Sequence, residues 1–199
     1  DYIERSTVVY CPKSSRSEHS YARKLVEQVN LAGTVNVEVY ELSMQGSDEV
    51  LRSEYEDTVD EIEKRVQSGG DVVAVTLGDP NLYSTAGQLT AHVKSRIGSS
   101  NVHMVPGINA YQAAASLVKR QLAKKNEHLI VWPLGRQFDE TLSDVIEIVD
   151  SMVFLKVNHQ FDRVYELLED EERLKNSFLA EKIGSDDQRI RVLDDVGPN

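Results

Sequence analysis

The run Asp-Val-Val-Ala-Val-Thr-Leu at 71–77 is the feature that most constrains the fold of this chain. A nearly continuous apolar run of this kind is typical of a strand that is covered on both faces in a parallel sheet. The turn Gly78-Asp79-Pro80 ends the run, and residues 84–97 then have the composition of a helix. A buried strand, a turn and a helix in this order indicate an α/β protein.

The rest of the chain repeats this alternation. Strands are predicted over 7–10, 35–42, 71–77, 101–105, 129–132, 151–157, 178–183 and 189–193, and helices over 17–30, 48–67, 84–97, 110–122, 139–148 and 161–168. In the first helix, Ser17 is the expected N-cap, and Tyr21, Leu25 and Val29 have the spacing of one helix face.

The chain of 199 residues is long enough for two small α/β domains. We expect mostly parallel sheets and a cleft between the domains, with an N-terminal α/β domain at 1–106 and a C-terminal α/β domain at 107–199. No linker rich in Pro, Gly or Ser marks the division near Pro106-Gly107. The two halves are therefore expected to pack tightly.

Composition excludes several classes of function. The net charge of −11 argues against nucleic-acid binding, which relies on Lys and Arg to neutralise phosphates. No apolar run reaches about eighteen residues, so no membrane-spanning helix is expected. A single cysteine, Cys11, excludes an intrachain disulfide and is expected in the core. The five histidines lack metal-ligand spacing, so no metal site is expected. These features fit a soluble cytoplasmic enzyme.

Two turns are the strongest candidates for ligand contacts, because each of them follows a predicted strand and leads into a predicted helix. In the first, Gly78 permits a close approach to a ligand, Pro80 fixes the turn, and Tyr83-Ser84-Thr85 supply hydroxyl and N–H groups at a helix start. In the second, Pro106-Gly107 is followed by the capping residue Asn109. Because ligands of parallel sheets bind at the carboxyl ends of strands, the turns are expected to form two walls of one cleft. The structural alternative is a common turn followed by a helix that Ser84 merely caps.

Lys156 stands near the end of an otherwise apolar predicted strand, where a lysine without a partner is unusual. It either emerges at the strand end to reach water or lies beside an anionic substrate. The sequence has no Gly-Lys-Ser/Thr phosphate loop, no Gly-x-Gly-x-x-Gly fingerprint and no Gly-x-Ser-x-Gly elbow. The residues alone therefore indicate a small-ligand cleft without a metal or a covalent nucleophile.

Five stretches resemble the tetrapyrrole methylase family and occur in the family's order. Residues 77–85, Leu-Gly-Asp-Pro-Asn-Leu-Tyr-Ser-Thr, closely resemble a segment of its precorrin-2 and cobalt-factor II C20-methyltransferases, and Tyr-Ser-Thr is the most specific part. The other similar stretches are 8–13 (a first-domain Val-Val-Tyr-x-Pro-Lys), 105–110 (the Pro-Gly loop), 151–157 (the Val-Leu-Met-Lys-Val strand) and 184–190 (Gly-x-x-x-Glu-Arg-Ile, with Gln188 for Glu).

The sequence also departs from the family pattern. The family's first strand with its Gly-x-Gly-Pro-Gly-Asp loop and its last strand have no counterpart in these residues. Asn109 stands where Thr or Ser is usual, but it can still cap a helix. Asn81 stands where Thr is frequent, and this difference bears on the identity of the substrate.

The resemblance implies S-adenosylmethionine as the cofactor and a tetrapyrrole as the substrate. It implies cofactor contacts by Leu77, Gly78, Asp79, Leu82, Ser84, Thr85, Asn109, Ala110, Leu155, Ala180 and Gly184. Tyr83, Ser84 and Thr85 are expected between cofactor and macrocycle, and these three residues and Lys156 are the positioning candidates. No catalytic base is assigned.

The resemblance further implies methyl transfer to C20 of precorrin-2 or cobalt-factor II in corrin biosynthesis, by a homodimer. An acidic protein must place basic groups locally to hold a substrate rich in carboxylates. The candidates are Lys13, Arg16, Arg23, Lys94, Arg96 and Lys156. Two alternatives stay open. One is a sibling methylase that acts at another carbon or on a modified protein residue, and the other is a catalytically inactive ligand-binding relative.

Overall fold

The computed structural model describes residues 2–15, 17–29, 33, 35–42, 48–135 and 139–197. The chain divides into an N-terminal unit, Asp1–Ile108, and a C-terminal unit, Asn109–Asn199. The predicted α/β class is confirmed, because parallel strands alternate with helices in both units. The sequence-based boundary after residue 106 stays a prediction. None of the described helices is both long and apolar enough to cross a membrane.

The N-terminal unit is built on a parallel three-stranded sheet. Its elements are α1 (Tyr2–Arg5), β1 (Val8–Ser14), α2 (Tyr21–Val29), β2 (Asn36–Leu42), α3 (Asp48–Gln67), β3 (Val72–Ala74) and α4 (Thr85–Ile97). Strand β1 is central, with β2 on one side and β3 on the other. Val8 pairs with Asn36 across the first ladder and with Val72 across the second.

Strand β1 supplies side chains to two separate cores, because successive residues of a strand point to opposite faces. Val8 and Tyr10 belong to a cluster that also contains residues of α3 and α4. Val9 and Cys11 belong to a cluster that contains residues of α2. The prediction that Cys11 is a small core residue is confirmed, and burial raises the pKa of its thiol to about 11. The thiol is therefore protonated and unreactive at neutral pH.

The C-terminal unit combines a parallel and an antiparallel pair of strands. Its elements are α5 (Ala110–Leu117), β4 (Leu129–Pro133), α6 (Thr141–Ile148), β5 (Ser151–Leu155), α7 (Phe161–Asp170), β6 (Phe178–Glu181) and β7 (Arg189–Val192). Strands β4 and β5 are parallel, whereas β6 and β7 are antiparallel. Leu142, Ile146, Val164 and Leu168 are buried where α6 and α7 contribute to one core.

The start of α2 differs from the prediction. Ser17 is not the N-cap, because Ser20 stands at that position. The Ser20 hydroxyl accepts a hydrogen bond from the N–H of Arg23 at 3.1 Å and donates to the Pro12 carbonyl at 2.7 Å. This second bond ties the helix start to β1, so the helix begins at Tyr21.

The buried face of α2 also differs from the prediction. Tyr21, Leu25 and Val29 are exposed, whereas Ala22 and Val26 are buried against the sheet. Both sets have the i, i+4 spacing of a helix face, and the second set is displaced from the first by one residue. Spacing alone could not choose between them, and the smaller side chains form the buried face.

Among the predicted strands, the one at 101–105 is absent and the one at 71–77 is much shorter than expected. Residues 101–105 form no strand, because no described strand lies beside them to complete a ladder. The predicted strand at 71–77 is reduced to Val72–Ala74, followed by one more bond from the N–H of Val75 to the Tyr10 carbonyl at 3.0 Å. Its side chains are partly exposed, because β3 is an edge of the described sheet rather than a strand covered on both faces.

Helix α5 ends at Leu117, well before its predicted end. Lys119 adopts a left-handed conformation with a φ of +56°. The N–H of Lys119 donates to the Ser116 carbonyl at 3.1 Å, and the N–H of Arg120 donates to the Ala115 carbonyl at 3.0 Å. This pair of bonds is the Schellman arrangement, which satisfies the last carbonyls of a helix and stops it.

Candidate functional site

The carboxyl ends of β1 and β3 lie at the switch point of the N-terminal sheet. The chain passes from β1 to β2 on one side and then crosses β1 to reach β3 on the other. Open parallel sheets form a crevice for ligands at such a point. Lys13, which forms an ion pair with Glu41, lies near the end of β1, and Gly78 lies shortly after β3. The topology therefore brings the first predicted turn to a preferred ligand position.

The first turn, residues 78–84, is closed by its own polar groups. Gly78 has a φ of +81°, a conformation that glycine adopts readily. The Asp79 carboxylate accepts hydrogen bonds from the N–H of Asn81 at 2.7 Å and from its side-chain amide at 2.8 Å. Tyr83 has a φ of +49°, which costs a non-glycine residue about 1–2 kcal/mol. The turn thus holds a strained residue directly before the helix.

The second predicted turn lies against the first. A Cβ atom on Gly107 would overlap the carbonyl oxygen of Gly78, so only glycine fits at this contact. Hydrogen bonds from Asn81, with a smaller contribution from the backbone of Gly107, hold the pKa of the Asp79 carboxyl below its usual range. The two turns are thus brought together within the N-terminal unit.

Ser84 and Thr85 are fixed at the start of α4. The Ser84 hydroxyl accepts a hydrogen bond from the N–H of Ala86 at 3.2 Å, which confirms that Ser84 caps the helix. The same hydroxyl donates to the Thr76 hydroxyl at 3.1 Å. The Thr85 carbonyl accepts a hydrogen bond from the Tyr55 hydroxyl at 3.3 Å. The fold itself therefore holds both residues in place.

Apolar side chains around the two turns are left uncovered. Tyr83 is 55% exposed and Ile108 is 74% exposed, and Leu77 and Val105 are exposed to a similar extent. Leu82 is partly exposed. Apolar groups that gather on a surface beside a tight backbone contact favour a ligand or partner that covers them.

The described part of the C-terminal unit contains a cavity of about 600 Å³. Residues of α5, β5, α7 and β6 line it, and its walls are mainly aliphatic and aromatic. The volume lies in the range of about 300–1,000 Å³ that is typical of small-molecule pockets. Three of the residues that the sequence suggested for cofactor binding line this cavity together: Ala110, Leu155 and Ala180.

Asn109 and Gly184 do not line this cavity. The N–H of Asn109 donates to the Gln112 side-chain carbonyl at 2.9 Å and so fixes the start of α5. Gly184 has a φ of +84°, and its N–H donates to the Gln188 side-chain carbonyl at 3.2 Å. Gln188, which stands where the family pattern has Glu, thus closes the turn between β6 and β7.

The basic candidates differ in their charge partners. Ion pairs join Lys13 to Glu41, Arg23 to Glu27, and Arg96 to Asp60 and Glu63. Within the described ranges, Lys94 and Lys156 form no ion pair. Lys156 is exposed and left-handed, with a φ of +63°, just after β5, so it emerges at the strand end. Arg16 lies outside the described residues.

Two residues that hold the first turn were missed from the sequence. Thr76 interrupts an otherwise apolar run, and this polar interruption is the one signal that points to it. Tyr55 gave no signal beyond its apolar position on α3, although it is fully buried and contacts the start of α4. In the part of the chain that the structure describes, no group of three His, Cys, Asp or Glu residues could hold a metal ion.

A family model described as Tetrapyrrole (Corrin/Porphyrin) Methylases matches residues 1–195. The chain belongs to this family. The matched region runs through both units, and it includes the two glycine turns and the lining of the cavity. The resemblance drawn from the sequence motifs is therefore confirmed at the level of the family.

Curated relatives of this tetrapyrrole methylase are similar at low identity. It is 23% identical over 159 residues to the "Probable cobalt-precorrin-2 C(20)-methyltransferase" of Methanocaldococcus jannaschii. This alignment covers 80% of this chain and 64% of that protein. It is 26% identical over 200 residues to the "Cobalamin biosynthesis protein CobIJ" of Mycobacterium bovis, with 97% and 38% covered. The chain thus spans less than two-thirds of the length of either relative.

Solved structures of similar fold include two methyltransferases. Cobalt precorrin-4 methyltransferase, CbiF, superposes with a TM-score of 0.68 at 18% identity, and the match covers 98% of this chain and 79% of that chain. Uroporphyrin-III C-methyl transferase from Thermus thermophilus, complexed with S-adenyl homocysteine, has a TM-score of 0.59 at 16% identity, with 98% and 80% covered. At these identities the likeness shows the fold.

Proposed function

We propose that this tetrapyrrole methylase transfers a methyl group from S-adenosylmethionine to C20 of precorrin-2 or cobalt-factor II. The observation that carries the proposal is the contact of the two glycine turns at Gly78 and Gly107, shortly before Tyr83-Ser84-Thr85. Family membership supports methylation of a tetrapyrrole. The relative from Methanocaldococcus jannaschii, which is named for the C20 reaction, supports the position on the macrocycle.

The residues present in each unit fit S-adenosylmethionine. In the N-terminal unit, the backbone at 77–79 lies beside exposed apolar side chains. Because residue 107 is a glycine, no side chain projects toward the Gly78 carbonyl. In the C-terminal unit, Ala110, Leu155 and Ala180 line an apolar cavity that suits the adenosine part. The resemblance alone adds Leu82, Ser84, Thr85, Asn109 and Gly184 to the proposed cofactor site. When bound, S-adenosylmethionine supplies an electrophilic methyl group on a sulfonium.

The chain itself contributes alignment and the exclusion of water. The bonds of Asp79 and the bond from Ser84 to Thr76 make the first turn a rigid support for ligands. Holding donor and acceptor in a reactive geometry contributes up to about 7–11 kcal/mol to catalysis. The apolar side chains of Leu77 and Tyr83 keep water away from the acceptor carbon.

Tyr83 is our candidate for selecting the C20 position. Its backbone is strained and its side chain is half exposed, a combination that is typical of functional sites. The strain fixes the direction in which the ring leaves the turn. A fixed aromatic ring beside the macrocycle limits which of its edges approaches the methyl donor.

Calorimetric titration with S-adenosylhomocysteine tests the cofactor site. The wild-type chain is expected to bind it at one site, and Gly78→Arg is expected to abolish binding by filling the turn. Gly69→Arg is the matched control, because Gly69 also has a positive φ but faces open space. Absence of binding to the correctly folded wild-type chain would contradict the methyltransferase proposal.

The position of methylation is tested with isotopically labelled S-adenosylmethionine. The chain is incubated with precorrin-2 and, separately, with cobalt-factor II, and carbon NMR locates the new methyl group. A label at C20 supports the proposal. A label at another carbon would instead assign the activity of a sibling methylase, and no label despite cofactor binding would refute methyl transfer to these substrates.

We also propose, on the resemblance alone, that the protein forms a homodimer in the cytoplasm. Analytical ultracentrifugation at micromolar concentration tests the first point, and a single monomeric species would contradict it. Fractionation of the source cells followed by immunodetection tests the second.

A further inference from the structure

Gly87, the third residue of α4, lies where the backbone of the first turn touches the helix. A Cβ atom at this position would lie 2.5 Å from the Pro80 carbonyl oxygen, which is too close for any side chain. The turn therefore folds back onto the helix that it leads into, and the lack of a side chain at residue 87 permits the contact. This is a second glycine contact of the turn, separate from the one at Gly107.

Helix α4 cannot move away to make room for a side chain at residue 87. Ala86 and Leu89, on the same helix, are both buried. Tyr55 is buried as well, and its hydroxyl lies 3.3 Å from the Thr85 carbonyl, to which it donates. Because packed interiors yield little, a side chain at residue 87 would displace the turn rather than the helix.

The segment that would be displaced is held at both ends. At one end the Gly78 carbonyl packs against Gly107, and at the other the Ser84 hydroxyl donates to the Thr76 hydroxyl at 3.1 Å. Among the described residues of the N-terminal unit, Tyr83 is the only one other than glycine with a positive φ. This conformation turns the segment back toward α4, so a displacement of the segment changes the direction of the Tyr83 ring.

We propose that Gly87 is a positioning residue, which lets the Pro80 carbonyl rest on α4 and thereby directs the Tyr83 ring toward the substrate. The ring is 55% exposed, so it can contact a ligand. A strained residue persists only where its surroundings enforce the conformation, and the contact at Gly87 is such a constraint. The inference rests on the proposed function, in which Tyr83 selects the C20 position.

Helix propensity and the proposed contact predict opposite effects of Gly87→Ala on stability. In a helix without such a contact, alanine in place of glycine shifts the equilibrium toward the folded state about two- to fivefold. The overlap with the Pro80 carbonyl should instead shift it about tenfold toward the unfolded state. Urea unfolding of the full chain measures the sign and the size of this effect.

A double-mutant cycle tests whether the cost of Gly87→Ala passes through Tyr83. Tyr83→Gly frees the backbone at this position, so the turn can move, and the cost of Gly87→Ala should fall about fivefold in this background. Glu172→Gly is the matched control, because it relieves a similar φ of +53° in the other unit and should leave the cost of Gly87→Ala unchanged. If Gly87→Ala alone does not fold, the double variant with Tyr83→Gly should recover folded protein.

Methyl transfer separates positioning from stability. Gly87→Ala should lower the kcat of the folded protein about tenfold, because a displaced Tyr83 ring misaligns the acceptor carbon. Part of the label should move from C20 to other carbons. The KM for S-adenosylmethionine should change by less than about twofold, because Gly107 still holds the Gly78 carbonyl. In the Tyr83→Gly background, Gly87→Ala should lower kcat no further.

Gly70→Ala is the matched control for the methyl-transfer assays. Its Cβ atom would lie 2.9 Å from the Thr7 side-chain oxygen, so this substitution also crowds a neighbour. Gly70 precedes β3 and thus lies at the opposite end of that strand from the first turn. The variant should keep the kcat, the KM and the methylated carbon of the wild type, whatever stability it loses.

Unchanged or increased stability of Gly87→Ala would overturn the inference, because the Pro80 carbonyl would then not rest on the helix. An equal cost in the wild-type and Tyr83→Gly backgrounds, or a double variant that fails to recover folded protein, would overturn it as well. So would an unchanged kcat and methylated carbon in an active chain. If the wild type transfers no methyl group, the proposed function fails, and the stability cycle alone then decides whether Gly87 fixes Tyr83.

Discussion

The carbonyl oxygen of Gly78 lies against Gly107, where a Cβ atom would overlap it, so two turns that lie far apart in the sequence meet at a position that only glycine can occupy. The carboxylate of Asp79, next to Gly78, accepts two hydrogen bonds from Asn81 within its own turn. Asp79 therefore acts on the site through the backbone that it positions. The sequence suggested a direct contact with the cofactor, and the structure adds this supporting role.

The charge of Asp79 should make the stability of the N-terminal unit depend on pH. The folded state lowers the pKa of this carboxyl, so its stabilisation is complete above the ordinary pKa of about 4 and is lost as pH falls through the lowered value. Asp79→Asn should flatten this part of the profile, measured as the thermal unfolding midpoint between neutral and acidic pH. Asp57→Asn, on an exposed position of α3, should keep the wild-type profile. Parallel profiles for wild type and Asp79→Asn would contradict the role.

Gly107→Ala should damage both stability and cofactor binding. The added Cβ atom would overlap the Gly78 carbonyl and force the two turns apart, at a cost of about 1–3 kcal/mol. Affinity for S-adenosylhomocysteine should fall about tenfold, which corresponds to 1.4 kcal/mol. Gly69→Ala is the control, since it meets open space and should lose only about 1 kcal/mol of stability with no change in binding. Equal effects of the two variants would argue against the contact.

Tyr55→Phe should loosen the start of α4 while it keeps the aromatic ring. The variant loses the hydrogen bond that the hydroxyl shares between the Thr85 carbonyl and the Gln88 side-chain oxygen, and we expect a loss of about 0.5–1.5 kcal/mol. Urea unfolding measures this loss. Tyr21→Phe removes a hydroxyl from an exposed ring and should leave the unfolding midpoint unchanged.

Tyr83→Gly should stabilise the protein and impair its activity. Glycine removes a penalty of about 1–2 kcal/mol at the positive φ, of which its own greater backbone entropy offsets roughly half. Methyl transfer should fall, because the ring that we propose directs the substrate is absent. Glu172→Gly relieves a similar φ of +53° in the C-terminal unit and should stabilise the chain without a loss of activity. Full activity of Tyr83→Gly would remove Tyr83 from the proposed site.

Local patterns were sufficient for most of the elements and for the first turn. The long helix at 48–67 is as the sequence predicted, and Ser84 caps α4, which was the structural alternative for this residue. The choice between Ser17 and Ser20 as the start of α2 was not local, because it depends on a hydrogen bond to Pro12 of β1.

The contacts that assemble the site lay beyond the sequence patterns. Both turns were expected at one cleft, but the direct contact of Gly107 with the Gly78 carbonyl follows from how the chain packs, and no local pattern predicts it. The end of α5 was also not predicted, because the helix was expected to continue to residue 122 and ends at Leu117. Lys119 ends that helix in a left-handed conformation, which single-sequence propensities do not anticipate for lysine.

The central place of β1 in the N-terminal sheet has a consequence for how the chain is made. This strand leaves the ribosome well before one of its partners, since the N–H of Thr7 bonds to the carbonyl of Asp71 across 64 residues. Until that partner is synthesised, β1 has an open edge and an uncovered apolar face. Nascent chains on neighbouring ribosomes can pair with such an edge. The interval between the synthesis of β1 and that of β3 is therefore a period in which this edge is exposed to aggregation.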